Sequence, residues 1–374
     1  MDMINIGYSG ASTAQVELNV TAQNTANAMT TGYTRQVAEI STIGASGGSP
    51  NSAGNGVQVD SIRRVSNQYQ VNQVWYAASD YGYYSTQQGY LTQLEAVLSD
   101  DNSSLSGGFD NFFAALNEAT TSPDDSALRE QVISEAGALS LRIDNTLDYI
   151  DSQSTEIISQ QQAMVSQINT LTFAGTISTM TTDTGGSLGA LFDYQNDVLT
   201  PLTDTINSMA SQFADAVNNQ LAQGYDLNGN PGEPLFIYDA SNADGPLTVN
   251  PDITADELAF SSSPDESGNS DNLQALINIS TEPLEIANLG SVTVGQACSS
   301  IISNIGIYSQ QNQTEVDAAS NVYSAAQNQQ SSVSGVSMDE EAVNLITYQQ
   351  IYEANLKVIS AGAEIFDSVL EMCS

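Results

Sequence analysis

No histidine occurs in these 374 residues, and a single lysine, Lys357, joins five arginines against 44 acidic residues. Without imidazole, Ser-His-Asp and Cys-His catalysis are excluded, as is any zinc site built on histidine. With a net charge of −38, the chain lacks the Arg and Lys needed to grip nucleic-acid phosphates or an anionic membrane surface. The acidity reads as solubility, or as adaptation to salty surroundings where self-repulsion is screened. Two cysteines, Cys298 and Cys373, are too few for a disulfide framework; Cys298 sits among apolar neighbours and reads as a small core residue. No apolar run approaches the length of a membrane span. Residues 1–10 carry neither a basic region nor an apolar run of signal-peptide length. The bare expectation is a cytoplasmic protein, or one exported without a cleaved signal.

What is present is helical periodicity, above all in 336–372. Steps of four and three from Met338 meet Ala342, Leu345, Gln349, Tyr352, Leu356, Ile359, Ala363, Phe366 and Leu370. That is a heptad seam, the pattern of a helix packing along another. A second apolar row runs beside it through Ile351, Ala354, Val358, Ala361, Ile365, Val369 and Met372. Two seams call for more than one neighbour, so this end is expected to work inside an assembly. Ile4, Tyr8, Ala11, Leu18, Ala22 and Met29 form a similar seam near the start, interrupted by Gln15 and Thr25. That first helix is expected to stop at Gly32 as an αL cap.

Short strands are expected at 37–40 and 56–59, separated by a Gly/Ser/Asn-rich loop over 44–55. Long helices follow. One spans about 67–98, and a shorter one carries Phe109, Phe112, Phe113 and Leu116. A third, of about 45 residues, is marked by Ser122 as N-cap, Pro123 at the first position and Asp124 and Asp125 at the positive end. After a Thr/Gly-rich connector (172–187) the stripe resumes, with a kink or restart at Pro201 capped by Thr200. Segment 224–272 is rich in Gly, Pro, Asp and Asn, with β-like runs, and is expected to be a small irregular β element projecting from the helical body. A last body helix runs from about 294 to 333. Gly335 stops it, and Ser337 with Glu340 makes a capping box for the final helix.

Chemistry is weak along the whole chain. The carboxylate pairs Asp124–Asp125 and Glu340–Glu341 sit at helix starts, where capping explains them. The loop from Asp226 to Glu233 looks like the start of a calcium loop, but Pro231 stands where an EF-hand needs Gly, and Ile237 where it needs Glu. No P-loop or dinucleotide fingerprint is present. The tyrosines 76, 81, 83, 84 and 90 spread around one helix without basic company and read as packing and subunit contacts. No catalytic, cofactor-binding or metal-binding residue is assigned, and no enzyme is expected.

The ends carry a resemblance. Asn24-Thr-Ala-Asn27-Ala-Met-Thr-Thr-Gly32-Tyr33-Thr-Arg35-Gln36 resembles the N-terminal signature of bacterial flagellar axial proteins, the rod, hook and hook-associated proteins. The run Gly335-Val-Ser337-Met338-Asp339-Glu340-Glu341, with Asn344-Leu345, Tyr352-Glu-Ala354-Asn355 and Lys357, is similar to the C-terminal signature of that class. Gly54-Asn55-Gly56-Val57, the Phe112-Phe113 to Arg129 region, and Ser187-Leu188-Gly189 through to Asn228-Gly229 resemble the hook-associated members that stand at the hook–filament junction. The motif residues are Asn24, Asn27, Gly32, Tyr33, Gly335, Glu340, Glu341 and Asn355. Subunit contact is expected of Ile4, Tyr8, Ala11, Leu18, Ala22, Leu345, Tyr352, Leu356, Ile359, Phe366 and Leu370.

The resemblance implies a secreted, extracellular structural component of the flagellum, exported by the type III route and needed for filament assembly. It would form a ring of its own copies, touch the hook protein on one side and a second junction protein or flagellin on the other, and offer its last helix to an export chaperone. No nucleic acid or membrane is involved. The rivals are another axial subunit, of rod or hook type, and a secreted surface-binding protein that borrows axial ends for export. The expected fold is mainly α: a long antiparallel helical bundle built from both ends, terminal coiled-coil helices and a small β-containing outer domain. Three parts are expected. Residues 1–35 with 336–374 form the assembly domain, 36–223 with 273–335 the long-helix body, and 224–272 the outer element. That element and the connector are short for the family, so the outer face should be reduced.

Overall fold

A computed structural model describes residues 2–44, 54–100, 104–171, 185–242 and 245–373. The expected loop at 44–55 and connector at 172–187 fall mostly outside the described residues, as does the side chain of Cys373. The order is helix α1 (Asp2–Asn27), strands β1 (Gln36–Thr42) and β2 (Val57–Arg64), then helices α2 (Gln68–Leu98), α3 (Leu105–Ala119) and α4 (Ser126–Leu171). Helix α5 (Gly186–Asp193) passes through a π-helical turn, Tyr194–Leu199, into α6 (Thr200–Leu221). Strands β3 (Phe236–Tyr238) and β4 (Leu247–Val249), helix α7 (Asp271–Asn278), strands β5 (Leu284–Ile286) and β6 (Gly290–Val292), and helices α8 (Val294–Ser334) and α9 (Met338–Cys373) complete it. Among the described residues each strand pairs only with its sequence neighbour, antiparallel. The fold is mainly helical, with long helices and small strand pairs.

Contacts divide the chain into two units, 1–78 with 320–374, and 79–319. The larger unit, 79–319, holds the main core. Helices α3 and α4 run antiparallel, with Arg142 Nη1 donating to the Ser104 carbonyl at 3.0 Å. Phe109 and Phe112 of α3 meet Phe213 of α6 edge to face, with centroids 4.9 and 5.6 Å apart. Phe236 of β3 closes the cluster at 5.5 Å from Phe213. Such pairs each add about 0.5–1.5 kcal/mol beyond the area they bury. Segment 224–272 does contain short strands, but it does not project. Leu235, Phe236, Leu247, Leu258 and Phe260 are buried in the same core as the helices. Arg129, also buried, fastens it: Nη1 donates to the carbonyls of Ala255 (3.1 Å) and Leu258 (2.6 Å), Nε donates to Pro123, and the guanidinium stacks 4.5 Å over Phe260. Burial lowers the Arg129 pKa to about 10.

Helix starts differ from expectation in instructive ways. Asp125, not Ser122, caps α4: its Oδ1 accepts from the Ala127 N–H at 2.8 Å. Pro123 lies in the turn before the helix, with its carbonyl turned to Arg129. At Pro201, the missing N–H widens the helix to π-type spacing one turn earlier. Thr200 is not a cap there; its hydroxyl bonds back to the Gln195 carbonyl at 2.9 Å. Cys298 is buried, its Sγ 4.0 Å from Met209 Sδ, and burial pushes its thiol up to about 12. The Asp226 carboxylate accepts from the N–H groups of Asn228 and Asn230, both at 2.7 Å, so it holds its own turn.

Candidate assembly site

Helices α1 and α9 pack antiparallel because small residues on α1 let the backbones approach. A Cβ built on Gly7 would stand 2.9 Å from Ile359 Cγ1 and 3.2 Å from the Asn355 carbonyl oxygen. One on Gly10 would lie 2.6 Å from Asn355 Cγ, and one on Gly362 would lie 2.8 Å from Ile4 Cγ1. Ala11 and Ala14 are buried along the same stripe. On α9 the facing stripe is Glu341, Asn344, Tyr348, Tyr352, Asn355, Ile359 and Gly362, buried or half-buried at steps of three and four. Burial raises the pKa of Glu17 on α1. Tyr348 opposite is raised by burial too, with the charges of Glu17 and Glu341 adding to it.

The seam read from hydrophobicity is therefore not the one that meets α1. Of its members only Tyr352 and Ile359 are half-buried; Leu345, Leu356, Phe366 and Leu370 are exposed, Phe366 by 50%. Ile351, Val358, Ile365, Val369 and Met372 of the second row are exposed as well. On α1, Ala11 is buried and Ile4 and Leu18 are half-buried, while Tyr8 and Ala22 face outward. Gly7, Gly10 and Gly362 escaped the sequence reading, and Asn344 and Tyr348 entered it only through the resemblance; for the first two, glycines three residues apart inside a helix were the available signal.

At the other end of the pair, one carboxamide joins three segments. Asn24, buried on α1, accepts at Oδ1 from the Gln36 N–H (2.8 Å) and the Tyr33 hydroxyl (2.9 Å). Its Nδ2 donates to the Gln36 carbonyl (2.9 Å) and to Glu341 Oε1 (3.2 Å). All four of its hydrogen-bonding positions are used. The Tyr33 hydroxyl is thus held on Asn24, and its pKa is raised by burial, with Glu341 adding and Arg64 opposing. Beside it Arg35 Nη1 meets Glu340 Oε2 at 3.0 Å, and the Arg35 N–H donates to the Ser334 carbonyl at 2.8 Å. The capping box is half made: the Glu340 N–H reaches Ser337 Oγ at 3.4 Å, but the Glu340 side chain goes to Arg35.

Helix α1 ends at Asn27, five residues before the expected stop. Gly32 lies in the turn that follows, at φ +77°, with open space around it, so backbone conformation alone asks for glycine. Gly335 closes the end of α8 through its N–H to the Ser331 carbonyl at 2.8 Å. Asn27 stays outside the junction, bonding back to Gln23 at 2.9 Å. A groove of about 930 Å³ opens between the turn at 28–35, the end of α8 and Glu340. The hairpin β1–β2 is tied to α1 by Ser9, whose Oγ accepts from the Val57 N–H at 3.2 Å.

Residues 91–174 and 172–236 match the family model for the helical domain of flagellar hook-associated protein FlgK. Residues 327–372 match that for the C-terminal region of the basal-body rod proteins FlgEFG. Flagellar hook-associated protein 1 of Salmonella typhimurium is 22% identical over 99% of both chains. That of Escherichia coli K12 is 21% identical over the same shares, and that of Bacillus subtilis is 29% identical over 43% of this chain and 34% of its own. The Salmonella alignment runs over 554 positions, far more than this chain's 374 residues, so that relative carries long insertions absent here. The flagellar hook junction protein FlgK of Burkholderia pseudomallei has the same fold over 70% of this chain and all of its own, at TM-score 0.50 and 12% identity. Over nearly its whole length the chain is thus similar to flagellar hook-associated protein 1.

Proposed function

We infer that this protein is a structural component of the bacterial flagellum, an adaptor between hook and filament needed for filament assembly, with no catalytic role. The observation that carries the reading is the terminal pair. Its mutual contact uses a stripe of mostly small and polar residues that takes in Tyr352 and Ile359 but leaves the other large members of both apolar rows of α9 facing solvent. Large apolar rows left open on a helix call for partners. The partners inferred are further copies in a ring, the hook protein below, and a second junction protein or flagellin above. An export chaperone would take the same α9 rows before assembly, and the type III route would carry the chain to the cell exterior. The terminal helices serve as the assembly domain, and the long helices supply contacts along and around the structure.

A rod or hook subunit is the competing reading, favoured only by the rod-type match at 327–372. The helical-domain match over 91–236 argues for the junction. The test is to incubate purified protein with isolated hooks and image them by electron microscopy. Density confined to the distal tip supports the junction; lengthened hooks support a hook subunit; bare hooks contradict both.

A further inference from the structure

Helices α1 and α9 meet at a fixed register. Asn24 bonds Glu341 at 3.2 Å, and Gly10 lies against Asn355. Seven residues separate Asn24 from Glu17 and Glu17 from Gly10; seven likewise separate Glu341 from Tyr348 and Tyr348 from Asn355. That spacing is two helical turns, so each set of three shares one face. Glu17 therefore stands opposite Tyr348. The two are close enough for the Glu17 charge to add to the upward pKa shift that burial imposes on Tyr348. The rest of this α1 stripe is uncharged: Gly7, Gly10, Ala14, Thr21 and Asn24. After Asp2, Glu17 is the only charged residue of α1.

The neighbouring elements do not balance that charge. Glu17 is half-buried, and among the described residues its side chain accepts no hydrogen bond and meets no cation. On α9 it faces Tyr348, with Glu341 two turns away, while Lys357 is exposed. The other element packed on α1 is the β1–β2 hairpin. There Glu39 holds Arg63 at 2.6 Å and Asp60 accepts from Ser41 at 2.8 Å. Arg64 acts on Tyr33, and Arg35 is taken by Glu340. Burial raises the Glu17 pKa, with no other group contributing. A half-buried carboxylate without a partner disfavours its charged form. We propose that Glu17 is a proton-operated catch on the α1–α9 pair: uncharged, it lets the two helices close, and ionised, it weakens their contact and shifts the pair toward opening. The closed pair holds the proton more tightly than the open one, so the stabilisation is present at acid pH and is lost as pH rises through the raised value. Opening bares the inner stripe of α9 to a neighbour, and only that consequence rests on the assembly reading above.

Hydrogen exchange of the purified full chain, read by mass spectrometry, follows the terminal helices separately from 79–319. Protection factors, corrected for the intrinsic rate, are taken from pH 5 to pH 8, above the isoelectric point of about 4.1. Protection of 7–24 and 341–359 should fall by about two- to fivefold across this range, the scale of a half-exposed charge. Glu17→Gln carries an uncharged group at every pH and should keep the parent's pH 5 protection throughout. Any pH response of 79–319, where Asp144 titrates, is expected to be the same in both proteins. Terminal helices equally protected at pH 5 and pH 8 in the parent would overturn the proposal, as would a Glu17→Gln variant that loses protection as the parent does. Binding to isolated hooks is scored separately. A flat exchange profile with tip binding intact sinks the catch and leaves the junction role standing. A pH-dependent profile that Glu17→Gln abolishes, without any tip binding, does the reverse.

Discussion

Asn24 and Glu341 lie 317 residues apart in sequence and meet at 3.2 Å. That bond joins the end of the first helix to the start of the last one, at the point where the chain turns into the β hairpin. Both partners are buried, and the carboxamide has no spare capacity. Asn24→Ala strands the Gln36 backbone groups, the Tyr33 hydroxyl and Glu341 together. We expect a loss of about 1–3 kcal/mol, seen as faster hydrogen exchange in α1 and the first turns of α9. Glu341→Gln keeps an acceptor at the same place and is expected to stay within about 0.5 kcal/mol of the parent.

Two glycines separate close packing from helix propensity. Gly7→Val puts branched bulk against Ile359 and the Asn355 carbonyl and should cost about 1–3 kcal/mol through overpacking. A Cβ at Gly89, on α2, meets nothing within 4 Å. Gly89→Ala should therefore gain about 0.5–1 kcal/mol from reduced backbone entropy. Denaturant titrations of the two variants are expected to shift in opposite directions.

The outward rows of α9 divide stability from assembly. Leu356 and Phe366 are 45% and 50% exposed in the single chain. Leu356→Asp and Phe366→Asp should change monomer stability by no more than about 0.5 kcal/mol, yet abolish incorporation at hook tips. Sedimentation with and without hooks checks both halves; normal incorporation of either variant counts against the role assigned to these rows.

Asp144 provides a pH signature. It is 7% exposed, and its Oδ1 has no hydrogen-bond partner among the described residues. Burial raises its pKa to about 6; the Leu247 N–H opposes the shift and Asp148 adds to it. The folded state holds this proton more tightly than the unfolded one, so the stabilisation is present below the ordinary carboxylate range and is lost as pH rises through about 6. Asp144→Asn should melt higher than the parent at pH 7 and with it at pH 4. Equal offsets at both pH values would contradict this.

The long helices were legible because their apolar residues recur at helical spacing over many turns; α2 and α8 each begin and end within one residue of expectation. The partner face of α9 was not. Hydrophobic periodicity reports where large side chains fall, whereas α1 and α9 meet through Gly7, Gly10, Ala14, Asn355 and Gly362, which it scores as weak. Asn24 and Tyr33 stood out only by resemblance, and Glu341 otherwise only as a helix-start carboxylate, since spacing along the chain cannot reveal a bond across 317 residues. Two caps were misread for different reasons: at 122–125 the chain makes a turn and Asp125 takes the capping role, while before Pro201, which has no N–H to donate, the helix passes through a π segment.

Filament growth tests the central claim most directly. Isolated hooks are incubated with this protein, washed, supplied with flagellin and the remaining junction components, and imaged. Filaments should grow from the tips of loaded hooks and not from hooks that received every component except this chain. Equal growth with and without it would contradict the adaptor role.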